Sequence, residues 1–276
     1  MRWLWQHGIR WATSRVVDEA KRAATNEFLG DQEEPDEQAE DAPNPVAFLC
    51  QTKFLFDAVA DELASKRHFE ANHLVVCTGK LTGRPVVIVR SQASSPDVPH
   101  LVAATVDGHH PRFALTLSEA TALNRDIAPA TVVMATRVMD GQGHTLRIDG
   151  QSPTGSGLIR GSILHSGVTR GGELTDPEHA PQCEDTWSLP LARACGTTGL
   201  PLMVAAVVLQ PPTELQSKET AALKHQQSLA GKTGVLAGML FKKRSGLRDL
   251  WNENQARWDA AVRVGELAKR LVQASG

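Results

Sequence analysis

Apolar and polar residues follow three different patterns along this chain. In residues 1–29, apolar residues recur every three or four positions and include three tryptophans, which predicts an amphipathic helix. Residues 30–45 contain seven acidic residues, three prolines and no basic residue, which predicts a disordered acidic linker. Residues 46–273 alternate short apolar runs with helical stretches, which predicts one α/β domain.

Eight short apolar runs in this domain have the length and composition of strands. The run over residues 200–209 is apolar on both faces, as in a central strand covered by helices. Thr82-Gly83 predicts a turn between two of the runs, and the turn Asp140–Gly143 predicts a hairpin. The predicted strands cover residues 46–50, 73–78, 85–89, 113–117, 131–138, 144–148, 158–164 and 200–209.

Helical spacing of apolar residues predicts four helices in the same domain. They cover residues 52–66, 185–195 and 218–231 and a long stretch from residue 247, and a further apolar segment spans residues 236–241. Short strands, a hairpin and later helices together predict a mixed β-sheet flanked by helices. The inner stripe expected for the last helix consists of Leu247, Leu250, Trp251, Trp258, Ala261, Val262, Gly265 and Leu271.

The composition argues against several classes of protein and site. A formal net charge of −2 and a pI of about 6.6 disfavour binding to nucleic acid. No stretch approaches the roughly 18 apolar residues that a membrane helix needs, and the four cysteines lack metal-binding spacing. His109 and His110 are adjacent, so in a strand they would face opposite sides and could not share a metal. We therefore expect a cytoplasmic protein with reduced cysteines and no metal or other cofactor.

Several segments of the domain resemble one family of enzymes. The run Pro45–Arg90 (PVAFLC…CTGKLTGRPVVIVR) predicts a strand, a helix and two strands joined by the turn Gly79–Val86. Residues 126–141 (DIAPATVVMATRVMDG) and the helix–strand segment 185–209 continue the same order of elements. Together they resemble the nucleoside phosphorylases and the methylthioadenosine/adenosylhomocysteine nucleosidases, and the C-terminal run resembles the hopanoid-associated bacterial branch of that family. The resemblance covers residues 46–272 and implies a three-layer α/β fold.

The resemblance also implies a reaction, cleavage of the N-glycosidic bond of a nucleoside. This reaction needs a carboxylate that holds the ribose hydroxyls and an acid that protonates the departing base. The position of the ribose-binding carboxylate falls on Trp187, whereas a shift in register would place Glu184 or Asp185 there. The acid position falls on Gln210, and glutamine can hydrogen-bond a purine but cannot protonate it.

The glycine-rich turns of this family are also altered. Its central loop aligns with residues 116–123, where three glycines are replaced, and its phosphate turn aligns with Ser91–Ser94. A side chain at a position of close approach blocks a ligand or changes the turn. The residue that orients the attacking water aligns with Lys53 or Phe54, and neither can act as that base. The residues that replace the loop glycines are Ser118, Thr121 and Ala122.

These substitutions lead to three hypotheses. The first is a catalytically degenerate member of the fold, a pseudoenzyme that still binds a purine or nucleoside-like molecule or acts as a scaffold. The second is an active nucleosidase or phosphorylase that uses Asp185 or Glu184 as a shifted carboxylate. The third is an interaction module that contacts a protein or a membrane surface through residues 1–45. The resemblance further implies a homo-oligomer, and the candidate ligand-binding residues are Trp187, Gln210, Ser118, Thr121 and Ser91.

Overall fold

The described part of the chain contains ten strands and four helices. The computed structural model describes residues 43–71, 73–93, 97–148, 155, 157–166, 180–212 and 244–275, with side chains from residue 254 in the last range. The strands are β1 (Val46–Cys50), β2 (Ala64–Ala71), β3 (Leu74–Leu81), β4 (Arg84–Ser91), β5 (Phe113–Ala122), β6 (Val132–Met139), β7 (Thr145–Arg147), β8 (Leu158–His165), β9 (Pro181–Asp185) and β10 (Leu202–Gln210). The helices are α1 (Lys53–Ala60), α2 (Val98–His109), α3 (Ser188–Thr198) and α4 (Arg244–Ala274). The predictions for residues 1–29, 30–42, 218–231 and 236–241 lie outside the described residues.

All ten of these strands belong to one mixed sheet. Its order is β10-β6-β8-β9-β5-β1-β4-β3-β2, with β7 paired to β6. Strand β10 also pairs with β5, so β5, β10, β6, β8 and β9 form a closed circuit of pairings. Strands β4, β1, β5 and β10 run parallel to one another. Because the carboxyl ends of parallel strands meet at the same edge, side chains from these strands can converge there.

Helices cover both faces of the sheet and produce three layers. On one face, Phe48, Ile88 and Leu115 pack in a core that includes residues of α1 and α4. On the other face, Ala47 and Leu49 pack in a core that includes residues of α2 and α3. Successive residues of β1 therefore enter different cores, as the two-residue period of a strand requires. The predicted three-layer α/β fold with a mixed sheet is confirmed.

The first helix of the domain is shorter than predicted. Thr52 begins α1 by accepting a hydrogen bond from the backbone N–H of Leu55 at 3.4 Å, and the helix ends at Ala60 rather than at Lys66. Residues 64–70 then expose their side chains and pair with β3 through the backbone as β2. Because these exposed side chains supply no apolar face for a longer helix, pairing with β3 decides the conformation.

Two elements, α2 and β9, were absent from the predictions. Helix α2 starts after Asp97, whose carboxylate accepts a hydrogen bond from the backbone N–H of His100 at 3.1 Å. Pro99 in its first turn is a second start signal. Strand β9 is only five residues long and pairs with β5 through two residues, so its sequence carries little periodicity. It includes Asp185, and the helix predicted to start there begins at Ser188 instead.

The buried face of α4 differs in part from the predicted stripe. Trp258 is 61% exposed and Val262 is 62% exposed, so both predictions are wrong, whereas Gly265 and Leu271 are buried as expected. The helix packs through a row of alanine, valine and leucine residues in the core that also contains α1, and this row leaves Trp258 and Val262 outside. The residues of the buried row are Ala256, Ala260, Val264, Leu267, Ala268, Leu271 and Val272.

Among the helices that the structure describes, none combines the length and the apolar composition of a membrane-spanning segment.

Candidate functional site

A polar cleft opens where the carboxyl ends of β5, β9 and β10 come together. Its volume is about 140 Å³, which is below the roughly 300–1,000 Å³ of most ligand pockets. The carboxylates of Glu119 and Glu184 and four other polar side chains of its lining come from segments far apart in the sequence. The lining residues are Glu119, Ala120, Thr121, Ser166, Glu184, Asp185, Thr186, Leu209 and Gln210.

The pairing register explains why polar side chains converge on this cleft. Thr121 of β5 lies opposite Glu184 of β9 and beside Gln210 of β10. Residues directly opposite each other in paired strands point to the same face of the sheet. Glu119 precedes Thr121 by two residues and therefore shares that face. The register thus places two carboxylates, a hydroxyl and an amide on one surface.

The Asp185 side chain lies on the opposite face of β9 and is only 3% exposed. Its carboxylate accepts hydrogen bonds from the backbone N–H groups of Trp187 at 3.2 Å and Ser188 at 3.1 Å. The hydroxyl groups of Ser118 and Ser188 donate to the other carboxylate oxygen. These four donors come from β5 and the beginning of α3, so the carboxylate caps that helix and ties it to the sheet. A carboxylate saturated in this way has no oxygen left to hold a ribose.

Glu184 has a different environment although it is the next residue in the chain. Its side chain is half-buried and lines the cleft. Within the described residues, no hydrogen bond or ion pair involves its carboxylate. Among the residues that the structure describes, the Glu184 carboxylate is thus a hydrogen-bond acceptor in the cleft without a partner.

Glu119 is a cleft residue that the sequence predictions missed. One oxygen of its carboxylate accepts a hydrogen bond from the Thr52 hydroxyl at 2.8 Å, and the other lies 3.7 Å from a guanidinium nitrogen of Arg257 on α4. The Gln51 side chain accepts from the backbone N–H of Glu119 at 2.8 Å and donates to the Thr186 hydroxyl at 3.2 Å. This network connects the β1–α1 loop, β5, the β9–α3 loop and α4, and it holds the Glu119 carboxylate in place.

Comparison with solved structures places this geometry in a known fold. A 5′-methylthioadenosine/S-adenosylhomocysteine nucleosidase from S. pneumoniae, solved with a transition-state inhibitor, aligns with a TM-score of 0.54 at 14% identity over 82% of this chain and 99% of that chain. A nucleosidase of the same type from Colwellia psychrerythraea, in complex with adenine, has a TM-score of 0.52 at 13% identity over 82% of this chain and 95% of the other. A mutant of the Helicobacter pylori futalosine hydrolase has a TM-score of 0.55 at 8% identity over 84% and 100% of the two chains.

The chain has a nucleosidase fold. No protein-family model and no curated protein sequence matches it. At identities of 8–14% the likeness therefore establishes the architecture, and the chemistry has to be judged from the residues in the cleft.

Trp187, which the sequence resemblance aligns with the ribose-binding carboxylate, does not line the cleft. Trp187 is 3% exposed and packs with Leu49, Val89 and Leu101 between the sheet and α2. Its indole Nε1 is buried and has no hydrogen-bond partner among the described residues. The Trp187 side chain therefore packs in the core between the sheet and α2, and its predicted contact with a ligand stays a prediction.

The other predicted ligand-binding residues divide into two groups. Thr121 and Gln210 line the cleft. Ser118 is fully buried and donates a hydrogen bond to the Asp185 carboxylate, and it does not line the cleft. Ser91 ends β4, where its hydroxyl accepts from the backbone N–H of Ala93 at 3.1 Å, and it does not line the cleft.

The glycine-poor segment of β5 explains part of the difference between this cleft and the family pattern. Residues 116–122, which the sequence resemblance aligns with most of the glycine-rich loop, continue β5 to Ala122. Ser118 and Ala122 are buried in this strand, and Thr121 pairs with both β9 and β10. Ser118, Thr121 and Ala122 therefore place side chains at the positions that the resemblance aligns with the loop glycines.

Thiol and metal chemistry gain no support from the described residues. Burial raises the pKa of the Cys195 thiol to about 12, and burial followed by the charges of Asp185 and Glu184 raises the pKa of Cys183. A thiol with a raised pKa holds little thiolate at neutral pH and is a poor nucleophile. No group of three or more histidine, cysteine, aspartate or glutamate side chains in the described ranges is arranged to hold a metal ion.

A second cavity, of about 200 Å³, lies between α2 and strands β3 and β4. Its lining is mainly apolar, with Leu74, Val76 and Val89 from the sheet and His100 and His109 from the helix. Burial, followed by the proximity of His110, lowers the pKa of His109. This cavity is the larger of the two, but its lining is mainly apolar, whereas the cleft formed by β5, β9 and β10 is lined mainly by polar residues. Of these two sites in the described part of the chain, the cleft is therefore the better candidate.

Proposed function

We propose that the chain is a nucleoside-binding protein with a nucleosidase fold that does not cleave its ligand. The observation that carries the proposal is the environment of Asp185, whose carboxylate is buried and used by four protein donors. With Trp187 turned into the core, neither residue supplies the ribose carboxylate that glycosidic cleavage requires. The protein would thus be a pseudoenzyme of nucleoside metabolism.

Ligand binding in the cleft is supported by the chemistry of its lining. The Gln210 amide carries both donors and an acceptor, which suits the edge of a purine base. Hydroxyl groups of Thr121, Ser166 and Thr186 can donate or accept as the ligand requires. Several structural neighbours were solved with adenine or with nucleoside-like inhibitors, which supports a purine-like ligand for this fold.

Loss of turnover follows from the groups that are missing. Gln210 stands where the family pattern has an acid, and an amide cannot protonate a leaving purine. Removal of one general acid or one stabilising group typically lowers the rate of an enzyme by about 10²–10⁴-fold. Loss of both the acid and the ribose carboxylate therefore leaves little chemistry beyond binding.

Binding and turnover should be measured in the same sample. The full-length protein is titrated with adenine, adenosine and 5′-methylthioadenosine in a calorimeter, and each mixture is then analysed by chromatography for released adenine. We expect saturable heat of binding for a nucleoside and no release of adenine above the rate without protein. Release of adenine at an enzymatic rate would contradict the absence of catalysis, and absence of binding would contradict the ligand.

An active hydrolase is the second candidate. The observation that favours it is the Glu184 carboxylate, which has no partner within the described part of the chain. Of the two shifted carboxylates that sequence analysis proposed, Asp185 accepts from four protein donors, whereas Glu184 lines the cleft and makes no hydrogen bond or ion pair with the other described residues. If adenine is released, Glu184→Gln should abolish the release, and Glu70→Gln on the exposed strand β2 serves as the matched control. The hypothesis that residues 1–45 contact a protein or membrane surface lies almost wholly outside the described residues and stays a prediction, as does the homo-oligomer.

A further inference from the structure

The sheet forms an apolar floor for the second cavity, which lies between α2 and strands β3 and β4. Val76 of β3 lies directly opposite Val89 of β4, so both side chains point to the same face of the sheet. Leu74 precedes Val76 by two residues and shares that face. All three side chains line the cavity. The sheet therefore offers an apolar surface to a ligand in the cavity.

Small residues on α2 leave space above this floor. Residues four apart are neighbours on a helix surface, so His100, Ala104 and Gly108 form one row along α2. Ala104 lines the cavity with a single methyl group, and a Cβ atom added at Gly108 would meet no atom of the described residues within 4 Å. The neighbouring residues Leu101 and Val102 are fully buried in the core that α2 shares with β1, β4 and α3. The cavity therefore follows from the small residues in one row of a helix that is otherwise well packed.

Two imidazole rings supply polar groups to the cavity. His100 from the first turn of α2 and His109 from its last turn both belong to the lining. The Thr105 hydroxyl, also in the lining, donates to the backbone carbonyl of Leu101 at 2.7 Å. Burial, followed by the proximity of His110, lowers the pKa of His109, so its ring is neutral at neutral pH and carries one donor and one acceptor nitrogen. An uncharged polar group of a ligand, such as a hydroxyl, can therefore form a hydrogen bond with His109.

The volume of the cavity suits a ligand with one ring. It is about 200 Å³, below the roughly 300–1,000 Å³ of most sites for drug-sized molecules. An engineered apolar cavity of about 150 Å³, lined by leucine, isoleucine and phenylalanine in another protein, binds benzene. A single aromatic ring with a small polar substituent therefore matches both the size and the lining of this cavity.

We propose that this cavity is a second ligand-binding site, which takes a phenol, a compound with one aromatic ring and a hydroxyl group, and that His109 hydrogen-bonds the hydroxyl. The aromatic ring packs on the apolar side chains of β3 and β4. The described lining of this cavity shares no residue with the lining of the cleft formed by β5, β9 and β10. The second site is therefore independent of the proposed function, and either can fail without the other.

The proposal is tested by titrating the full-length protein with phenol and with benzene, each followed by saturation-transfer NMR spectroscopy. We expect saturable binding of both compounds and roughly three- to tenfold tighter binding of phenol, because phenol adds one hydrogen bond. Excess adenosine should not displace phenol. Absence of phenol binding, or its displacement by adenosine, would overturn the proposal.

A variant that fills the cavity locates the site. Ala104→Leu places a larger side chain in the space of the ring and should weaken phenol binding at least about tenfold. Ala103→Leu makes the same change at the preceding residue of α2, which does not line the cavity, and should leave phenol binding unchanged. Equal effects of the two variants on phenol binding would overturn the location of the site.

A second variant tests the hydrogen bond and does not depend on the folding of Ala104→Leu. His109→Phe keeps an aromatic ring and removes both ring nitrogens, so the affinity for phenol should fall to that for benzene. The affinity for benzene itself should stay the same. Unchanged preference for phenol over benzene in His109→Phe would overturn the role of His109.

Discussion

Glu184 and Asp185 are neighbours in the chain, yet the two sides of β9 give their carboxylates different environments. Asp185 points toward β5 and α3, where four donors hold it and water is excluded. Glu184 points into the cleft and has no partner among the described residues. Because a strand alternates its faces at every residue, a shift of one position changes a helix cap into a candidate ligand contact. Sequence proximity to a family motif is therefore a weak guide to chemical role.

On the buried side of the sheet, where Asp185 lies, the largest loss of stability is expected from replacing Trp187. Trp187→Ala should lower the free energy of unfolding by about 3–5 kcal/mol, because it leaves a cavity between the sheet and α2. Urea denaturation followed by far-UV circular dichroism measures the loss. Trp187→Phe, which fills much of the space, should lose less than half as much. If Trp187→Ala instead kept its stability and lost adenosine binding, the indole would be a ligand contact after all.

Removal of the buried carboxylate should have the next largest effect. Asp185→Ala should destabilise the fold by about 2–4 kcal/mol, because two backbone N–H groups and two hydroxyl groups lose their acceptor. The matched change on the other face, Glu184→Ala, should alter the free energy of unfolding by no more than about 0.5 kcal/mol. Similar losses for the two variants in urea denaturation would remove the distinction between the two sides of β9.

Two hydroxyl residues on opposite faces of β5 allow the same comparison of buried side and cleft side, with smaller expected losses of stability. Ser118→Ala removes a donor to the Asp185 carboxylate and should cost about 1–2 kcal/mol of stability. Thr121→Ala acts on the cleft face, where the hydroxyl has solvent available, and should cost less than about 1 kcal/mol. Both are measured by urea denaturation, and a larger loss for Thr121→Ala would show that the cleft face, not the Asp185 face, holds β5 in place.

Much of the fold could be predicted because its strands are short apolar runs with clear turns between them. The strand over residues 46–50, the turn at Thr82-Gly83 and the hairpin after Met139 all lie where the sequence places them. Of the two missing elements, α2 carries local start signals at Asp97 and Pro99, whereas β9 depends on partners far away in the chain. Strand β9 is held by residues of β5 and β8, and nothing in its own five residues predicts that pairing.

The candidate site was harder to predict, because its roles are set by which face each residue occupies. Two signals in the sequence were available. Asp185 precedes Ser188 by three residues at the start of a helical run, which is typical of a capping aspartate. Glu119 is an isolated acid in a strand of apolar and small residues, which often marks a side chain with a specific partner. The direction of the Trp187 side chain had no comparable signal, since it depends on the space between the sheet and α2.

The central claim is that Asp185 stabilises the fold whereas Glu184 contacts the ligand. Thermal unfolding of Asp185→Asn and Glu184→Gln, with and without saturating adenosine, tests this claim most directly. Asp185→Asn should lower the melting temperature of the free protein by several degrees, since 1 kcal/mol corresponds to roughly 2–4 °C for a domain of this size. It should keep the increase in melting temperature that adenosine produces. Glu184→Gln should keep the melting temperature of the free protein and reduce that increase. The account is contradicted if Asp185→Asn leaves stability intact and abolishes the adenosine effect, because Asp185 would then bind the ligand.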